Sequence, residues 1–354
     1  MAGAAVERRL ADIEQRCRGA LDPAALRTEA LGRLRRVVPA DAAFFATVDP
    51  VTLLFTSAAA EDPLGPATAL FLDNEFGRTD VNKFSALARA ADPVASLDRA
   101  ARGERSASAR YREIMAPLGL GDELRAALVT GHHCWGVLCL HREDSSAGFT
   151  AEELALVRRI APHLAAGLRR AVTAAPPAGA GPRPGGVGLI LLDADLRLVS
   201  MSPEAEQWLA DFPDTDRFPD TDQGTADQRG ADPLPVAVHA VAAGPVPSTV
   251  RIRGRSGQWI ALHTTRLDSQ IGVVVEPARP AELGAVLLSA HGLTQAQTRV
   301  AALVIRGRST RELVEELHIS ANTVQEHLTA VFDKFGVRSR RELVAAVLAD
   351  LAGS

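Results

Sequence analysis

The sequence predicts a multidomain chain in which two α+β domains are followed by an all-α, four-helix domain. Three observations lead there. At 354 residues the chain exceeds what one ordinary hydrophobic core organises. A run of Pro, Gly and Ala from 174 to 186 interrupts the periodic sequence as a linker does. From Leu293 onward proline disappears and the apolar spacing becomes helical throughout.

Residues 5–38 read as two helices, followed by strands at 42–49 and 52–58, each bounded by Pro or charged turns. A mostly helical stretch reaches Pro117. Strands at 123–130 and 134–142 come next, then a helix from Thr150 to Ala171 in which Leu154, Leu156, Val157, Ile160, Leu164 and Leu168 share one face. The segment Cys134 to Arg142, followed by Phe149, Thr150 and the long amphipathic helix, resembles the end of GAF-type sensor domains. The resemblance implies a GAF-like sensor or dimerisation domain over 1–173.

Beyond the linker at 174–186, Val187–Leu192, a turn at Asp193–Asp195 and Arg197–Met201 form a β-hairpin that feeds a short helix to Leu209. Three more strands are expected at 248–253, 259–265 and 272–275. This opening resembles a PAS domain and implies a PAS-like unit over 187–280. Inside it, Asp211–Pro233 contains FPDTD twice, at Phe212–Asp216 and Phe218–Asp222, and reads as a solvated loop. Its aspartates lack the Gly and terminal Glu of a calcium-binding loop.

The last segment, expected as a domain over 286–354, parses as four short helices. Thr294 caps the first, and Gly307 follows its end at Arg306. Ser309 caps the second, Thr310–Leu317, and after the turn His318–Ile319, Ser320 caps the third. Two helices joined by so short a turn make a helix-turn-helix, whose second helix fits the DNA major groove. In the third helix Val324, Leu328, Val331 and Phe335 form a buried stripe, which leaves Asn322, Gln325, Glu326 and Thr329 facing out.

Leu293, Thr294, Gly307, Ser309, Glu312, Leu313, Leu317, Ile319, Ser320, Thr323, Val324, His327, Val331, Lys334, Val337 and Arg340, at their spacing, resemble the LuxR/FixJ-type DNA-binding domain. The resemblance implies a sequence-specific transcription regulator, with Ser309, Ser320, Asn322, Thr323, Gln325, Glu326, His327, Thr329, Lys334 and Arg340 at the DNA. Thr323 and Lys334 would touch phosphates, while Gln325, Glu326 and Thr329 would face base edges, where Gln pairs with adenine and Glu accepts from cytosine. His327 reads equally as a half-buried structural residue. Gln297, Arg299, Gln325 and Val314 depart from the family pattern. The reduced positive charge predicts weak binding by a monomer and dependence on a homodimer. The last helix, with Leu343, Val344, Val347, Leu348 and Leu351 in one stripe, offers either a dimer contact or a purely internal face.

Double-stranded DNA is therefore the expected partner, with RNA polymerase and a small-molecule ligand at the N-terminal domains as further expectations. The net charge of −4 confines any polyanion contact to a local patch. No apolar run spans a bilayer, and the first residues carry no secretory h-region, so no membrane association and a cytoplasmic location are expected. Three cysteines do not make a disulfide framework.

No enzyme is expected, since neither a nucleophile–base–acid spacing nor a glycine-rich cofactor loop occurs. A phosphoacceptor front end, which needs clustered acidic residues at strand ends and a lysine opposite, is not expected, since no lysine lies between Lys83 and Lys334. His132, His133, Cys134, Cys139 and His141 invite a metal reading. Strict strand alternation puts His132 and Cys134 on one face and His133, Cys139 and His141 on the other, so no single site collects them, and neither cofactor nor metal is expected. The competing reading is a protein-interaction scaffold whose helix-turn-helix no longer reads DNA.

Overall fold

The computed structural model describes residues 2–19, 22–144, 147–174, 184–213 and 234–352. Helices α1 (Ala2–Cys17) and α2 (Pro23–Leu34) open the chain. Asp22 caps α2 by accepting from the backbone of Ala24 and Ala25, and Pro23 occupies the first turn, where its missing N–H is harmless. Strands β1 (Ala42–Val48), β2 (Phe55–Ala60), β3 (Val94–Ser96), β4 (Leu120–Thr130) and β5 (His133–Glu143) form an antiparallel sheet in the order β2-β1-β5-β4-β3. Between β2 and β3 lie α3 (Thr68–Leu72) and α4 (Phe84–Leu87), and α5 (Leu97–Ala100) follows β3. Strand β3 was not expected, because three residues are too few to show a period.

One face of this sheet is covered by α1, α2 and α6 (Ala151–Thr173). Thr150 and Glu153 start α6 with a reciprocal capping box, and Leu154, Val157, Ile160, Leu164 and Leu168 bury the expected stripe. The other face packs Phe44, Phe55, Leu72, Phe84, Met115 and Cys139.

The second sheet contains β6 (Gly188–Leu192), β7 (Leu198–Met201), β8 (Thr249–Arg253), β9 (Trp259–Leu267) and β10 (Gln270–Pro277), in the order β7-β6-β10-β9-β8. It repeats the strand order of the first sheet. The Asp193 carboxylate accepts from the backbone N–H of Asp195 and Arg197, which fixes the β6–β7 turn where the sequence put it. Ser202 caps α7 (Pro203–Ala210).

The expected solvated loop begins too early. Phe212 is 1% exposed in the second core, and Asp211 accepts from the backbone and hydroxyl of Ser256 at 2.7 and 2.6 Å. Most of the FPDTD repeat, from residue 214, lies outside the described residues.

Helix α8 (Val236–Ala243) was not foreseen. Its sequence VAVHAVAA has no polar stripe because the helix is wedged between the two sheets. Ala237, Val238 and Val241 belong to the second core, while Ala240 belongs to the first domain's core, with Val236 and Ala243 packed against it. Beside the wedge, Asp49 at the end of β1 accepts from the backbone and guanidinium of Arg251 at 3.0 and 2.8 Å.

Helix α9 (Pro280–Ala290) spans the expected boundary at residue 286. It is a joint between three bodies. Leu283, Val286 and Leu287 pack on Trp259 of β9, Ala290 reaches the first domain's core, and Leu288 joins the C-terminal core. Helices α10 (Gln295–Ile305), α11 (Thr310–Leu317), α12 (Ala321–Phe335) and α13 (Arg340–Ala352) complete the chain.

The strand-alternation argument fails in β5. Val129 pairs with Cys134 and Leu128 with Gly136, so Trp135 is an extra, bulged residue. Parity reverses there. Cys134 shares a core with Cys139, whereas His133 turns to the opposite side and meets Ser289 of α9.

Candidate nucleic-acid interface

Helices α11 and α12 are set by their caps. Ser309 accepts from the N–H of Glu312, whose carboxylate returns the bond to the Ser309 N–H. That backbone bond, with the Ser309 hydroxyl and the Arg308 guanidinium, holds the Glu312 carboxyl below its ordinary range. His318 ends α11 at φ 54° and ψ 41°, a left-handed conformation that histidine tolerates better than β-branched residues do. This reverses the chain within two residues. Ser320 then caps α12 through the Thr323 N–H at 3.1 Å, and its hydroxyl also lies 2.9 Å from that of Thr323.

Val324, Leu328 and Val331 are buried against α10, α11 and α13. Phe335, expected as the fourth member of the stripe, is half-buried and stacks on His291 with ring centroids 3.7 Å apart. With Val324 and Leu328 inward, Asn322, Gln325, Glu326 and Thr329 are all exposed. At about 100° per residue they fall within an arc of roughly 100°. The Asn322 amide donates to Glu326 at 2.9 Å, and the Thr329 hydroxyl donates to the Gln325 carbonyl at 3.0 Å. Gln325 is the member whose side chain reaches farthest from the helix backbone without an acidic group.

Of the ten residues singled out from the sequence, these four share the outward face of α12, with Ser320 and Thr323 at its N-terminus. Ser309 sits at the start of α11. His327 is half-buried beside the apolar stripe. Lys334 donates to the Gly292 carbonyl and to Gln297 Oε1, both at 2.8 Å. Arg340, in the first turn of α13, donates to the Arg308 carbonyl at 2.9 Å and the Thr310 hydroxyl at 2.8 Å. These two cations fasten the domain internally, and neither lies on the outward face with Gln325.

Gln297, one of the departures from the family pattern, still completes a capping box. Its side-chain oxygen accepts from the Thr294 N–H at 3.0 Å, closing the cap of α10, and from Lys334 as well. Sequence reasoning passed over Arg308 and Arg311. Arg311, 89% exposed, follows the cap of α11 and pairs with Glu315, while Arg308 pairs with Glu312 and Glu316. Their position beside a helix N-terminus was the available signal. Residues 291–347 carry eight basic and six acidic side chains, a positive balance within a chain of net charge −4.

Residues 291–347 match the family model for bacterial regulatory proteins of the luxR family. Residues 22–168 match the GAF domain model. Spore germination protein GerE of Bacillus subtilis (strain 168) is 34% identical over 56 residues, covering 16% of this chain and 76% of GerE. Two solved structures are similar at low scores. The phage VqmA-DPO complex shows 13% identity over 49% of this chain and 87% of that one, with a TM-score of 0.17. The E. coli DhaR(N)-DhaL complex shows 12% identity over 78% and 90%, with a TM-score of 0.26. At those scores neither bears on the present fold. Among the described residues, no helix is long and apolar enough to cross a membrane.

Proposed function

The chain belongs to the luxR family of bacterial regulatory proteins, and on that premise we propose that it is a sequence-specific DNA-binding transcription regulator. The observation that carries this reading is the outward face of α12, where Asn322, Gln325, Glu326 and Thr329 stand together over a fully apolar underside. Three of the four are uncharged hydrogen-bonding side chains, where an ordinary solvated helix face carries a lattice of Lys and Glu. In the major groove, Gln325 would read adenine and Glu326 cytosine, with Thr329 beside them. Ser309, Ser320, Thr323, Lys334 and Arg340 would approach the phosphates, the last two by exchanging an internal carbonyl for a phosphate oxygen.

The N-terminal GAF domain is where a small-molecule ligand or partner would act. We read the second α+β unit as PAS-like, supported by its repetition of the GAF domain's strand order. The regulator would work as a homodimer on two half-sites, with RNA polymerase as a partner of the bound dimer. On α13, Leu348 is 53% exposed beside Val344 and Arg341, an apolar edge suited to the second protomer. Contact of α9 with all three bodies gives a bound ligand a route to the spacing of the two recognition helices.

The test is selection of genomic fragments by the full-length protein and by the Gln325→Ala/Thr329→Ala variant, at low and moderate salt. The wild type is expected to enrich inverted repeats and the variant to lose discrimination of about 1–3 kcal/mol per base contact. The scaffold reading draws on Lys334, Arg340 and the Asn322–Glu326 pair all being engaged within the chain. It gains the field if neither protein enriches any sequence.

A further inference from the structure

The second sheet has an inner face that carries its core and an outer face that is only half covered. Ile190, Leu192, Val273 and Val275 belong to the core, so the residues between them on β6 and β10 point the other way. Along β9 the outward series is Trp259, Ala261, His263, Thr265 and Leu267, since Ile260 and Leu262 alternate with them in the core. Helix α9 covers the first part of that series. Leu283, Val286 and Leu287 close over Trp259, and Glu282 comes within 3.6 Å of His263. From Thr265 onward the outward residues of β9 are exposed.

What lies bare is apolar. Leu189 is 45% exposed, Leu267 48% and Val187 57%, while Leu191 and Val274 on the same side are half-buried. Register joins them into one patch. Leu189 pairs with Val274 and Leu191 with Gly272, and Leu267 leans over Gly272, its Cδ1 3.3 Å from where a Cβ would stand. The polar positions on this side, Ser200 opposite Leu191 and Thr265 opposite Gly272, carry no charge. An antiparallel sheet with one face in water ordinarily alternates apolar-in with polar-out, and β6 departs from that rule along its whole length.

We propose that this bare half-face is an interface with a second copy of the chain, packed sheet on sheet about a two-fold axis that runs along the strands between β6 and β10. The proposal deepens the homodimer reading above by giving the front of the molecule its own contact. Flat sheet faces pack about 10 Å apart with their side chains interdigitating, which suits an uncharged face of this kind.

Self-complementarity singles out a second copy. About this axis β6 of one protomer lies over β10 of the other, so Leu189 meets Val274 of the second copy at the register where the two already pair within one sheet. The rim matches too. The β6–β7 turn leads into Arg197, whose side chain is 77% exposed and only loosely paired with Asp195 at 3.8 Å, while the β9–β10 turn at the same end carries exposed Asp268. The axis sets the first turn of each copy against the second turn of the other, which gives two equivalent opposite-charge contacts. Helix α9 lies toward the other end of the sheet, over Trp259. An axis along the strands therefore leaves both α9 helices, and both DNA-binding segments, at one end of the pair, as two neighbouring half-sites require. An axis across the strands would send them to opposite ends.

The experiment is sedimentation equilibrium of the full-length protein without DNA, at concentrations up to about 50 µM. Wild type is expected to show a monomer–dimer equilibrium. Leu189→Glu, which puts a charge in the middle of the bare face, is expected to raise the dimer Kd at least about tenfold. Leu189 lies outside the core, and circular dichroism with a melting curve checks that the variant folds. Cross-linking tests the axis. Cys17, Cys134 and Cys139 are all buried, so a short bis-maleimide joins chains through newly placed surface thiols. An equimolar mixture of Arg197→Cys and Asp268→Cys proteins is expected to give at least about threefold more cross-linked dimer than either alone. A wild type that stays monomeric over this range overturns the proposal. So does a folded Leu189→Glu that dimerises as well as wild type, or single variants that cross-link as well as the mixture. If Leu189→Glu does not fold, the cross-linking result decides. Association is read without DNA, so a chain that selects no DNA sequence leaves these outcomes as they stand.

Discussion

The hydroxyl of Ser289, in the helix leading into the DNA-binding segment, lies 2.9 Å from Nε2 of His133 at the tip of the GAF domain's central hairpin. Ser289 also donates to the Ala285 carbonyl at 2.7 Å. A hydroxyl has one proton, so in this pair the imidazole is the donor and Ser289 the acceptor. The same joint is closed by Arg169 of α6. It lies against Gly292, where φ is +70° and a Cβ would stand 2.8 Å from the guanidinium.

Acid should destabilise the fold around this contact, because charging the ring keeps its Nε2–H donor but buries a cation. Burial, and secondarily the neighbouring His132, lowers the pKa of His133 below its ordinary 6.5. The folded state thus favours the neutral ring, and its contribution is complete above the unfolded value. It declines as pH falls below about 6.5, where the unfolded chain binds the proton first. Thermal unfolding of wild type and His133→Gln from pH 7.5 to 5.5 should show a steeper loss in the wild type. Parallel curves would remove His133 from the joint's energetics.

Asp49→Ala should uncouple the two sheets. It leaves the Arg251 guanidinium, whose side chain is 13% exposed, without its carboxylate. Breaking such a pair costs about 3 kcal/mol or more. Calorimetry should show a lower transition that broadens or splits, whereas an unchanged single transition would mean that α8 alone holds the sheets together.

Leu328 and Gln325 are three positions apart and should respond oppositely. Leu328→Ala opens a cavity in the C-terminal core and should cost about 2–4 kcal/mol of stability. Gln325→Ala should stay within about 0.5 kcal/mol in denaturant unfolding while changing DNA site preference. A stability loss at Gln325 as large as at Leu328 would contradict the outward placement of this face.

Gln297→Glu should make the acceptor shared by Thr294 and Lys334 ionic. Charge at a helix N-terminus and on the lysine together should stabilise the domain by about 0.5–1 kcal/mol. The same change should weaken DNA binding if Lys334 must leave Gln297 to reach a phosphate. Thermal shift and fluorescence anisotropy on one preparation separate the two effects.

Much of this was legible from pattern. Thr294, Ser309 and Ser320 cap the helices they were expected to cap, because capping is local and depends on residues only three apart. The outward arc of α12 followed from its apolar stripe. Features that depend on distant residues were not legible. Lys334 finds its acceptors 42 and 37 positions away, and Arg340 finds its own 32 and 30 away. The Trp135 bulge inverted the faces of His133 and Cys134, and no period foretells an inserted residue. Helix α8 escaped notice because burial on both sides erases amphipathicity.

The wedge of α8 also bears on how this chain can be cut or recombined. A Pro/Gly linker invites exchange of front ends between regulators, yet here the segment beyond it carries Val236, Ala240 and Ala243, which belong against the GAF sheet. A graft at residues 174–186 would strip that face of its cover and leave Leu54 on the donor side without its lining. Fragments begun at the linker should therefore self-associate. The two α+β units should be exchanged together, and functional chimeras should place their seam beyond β10.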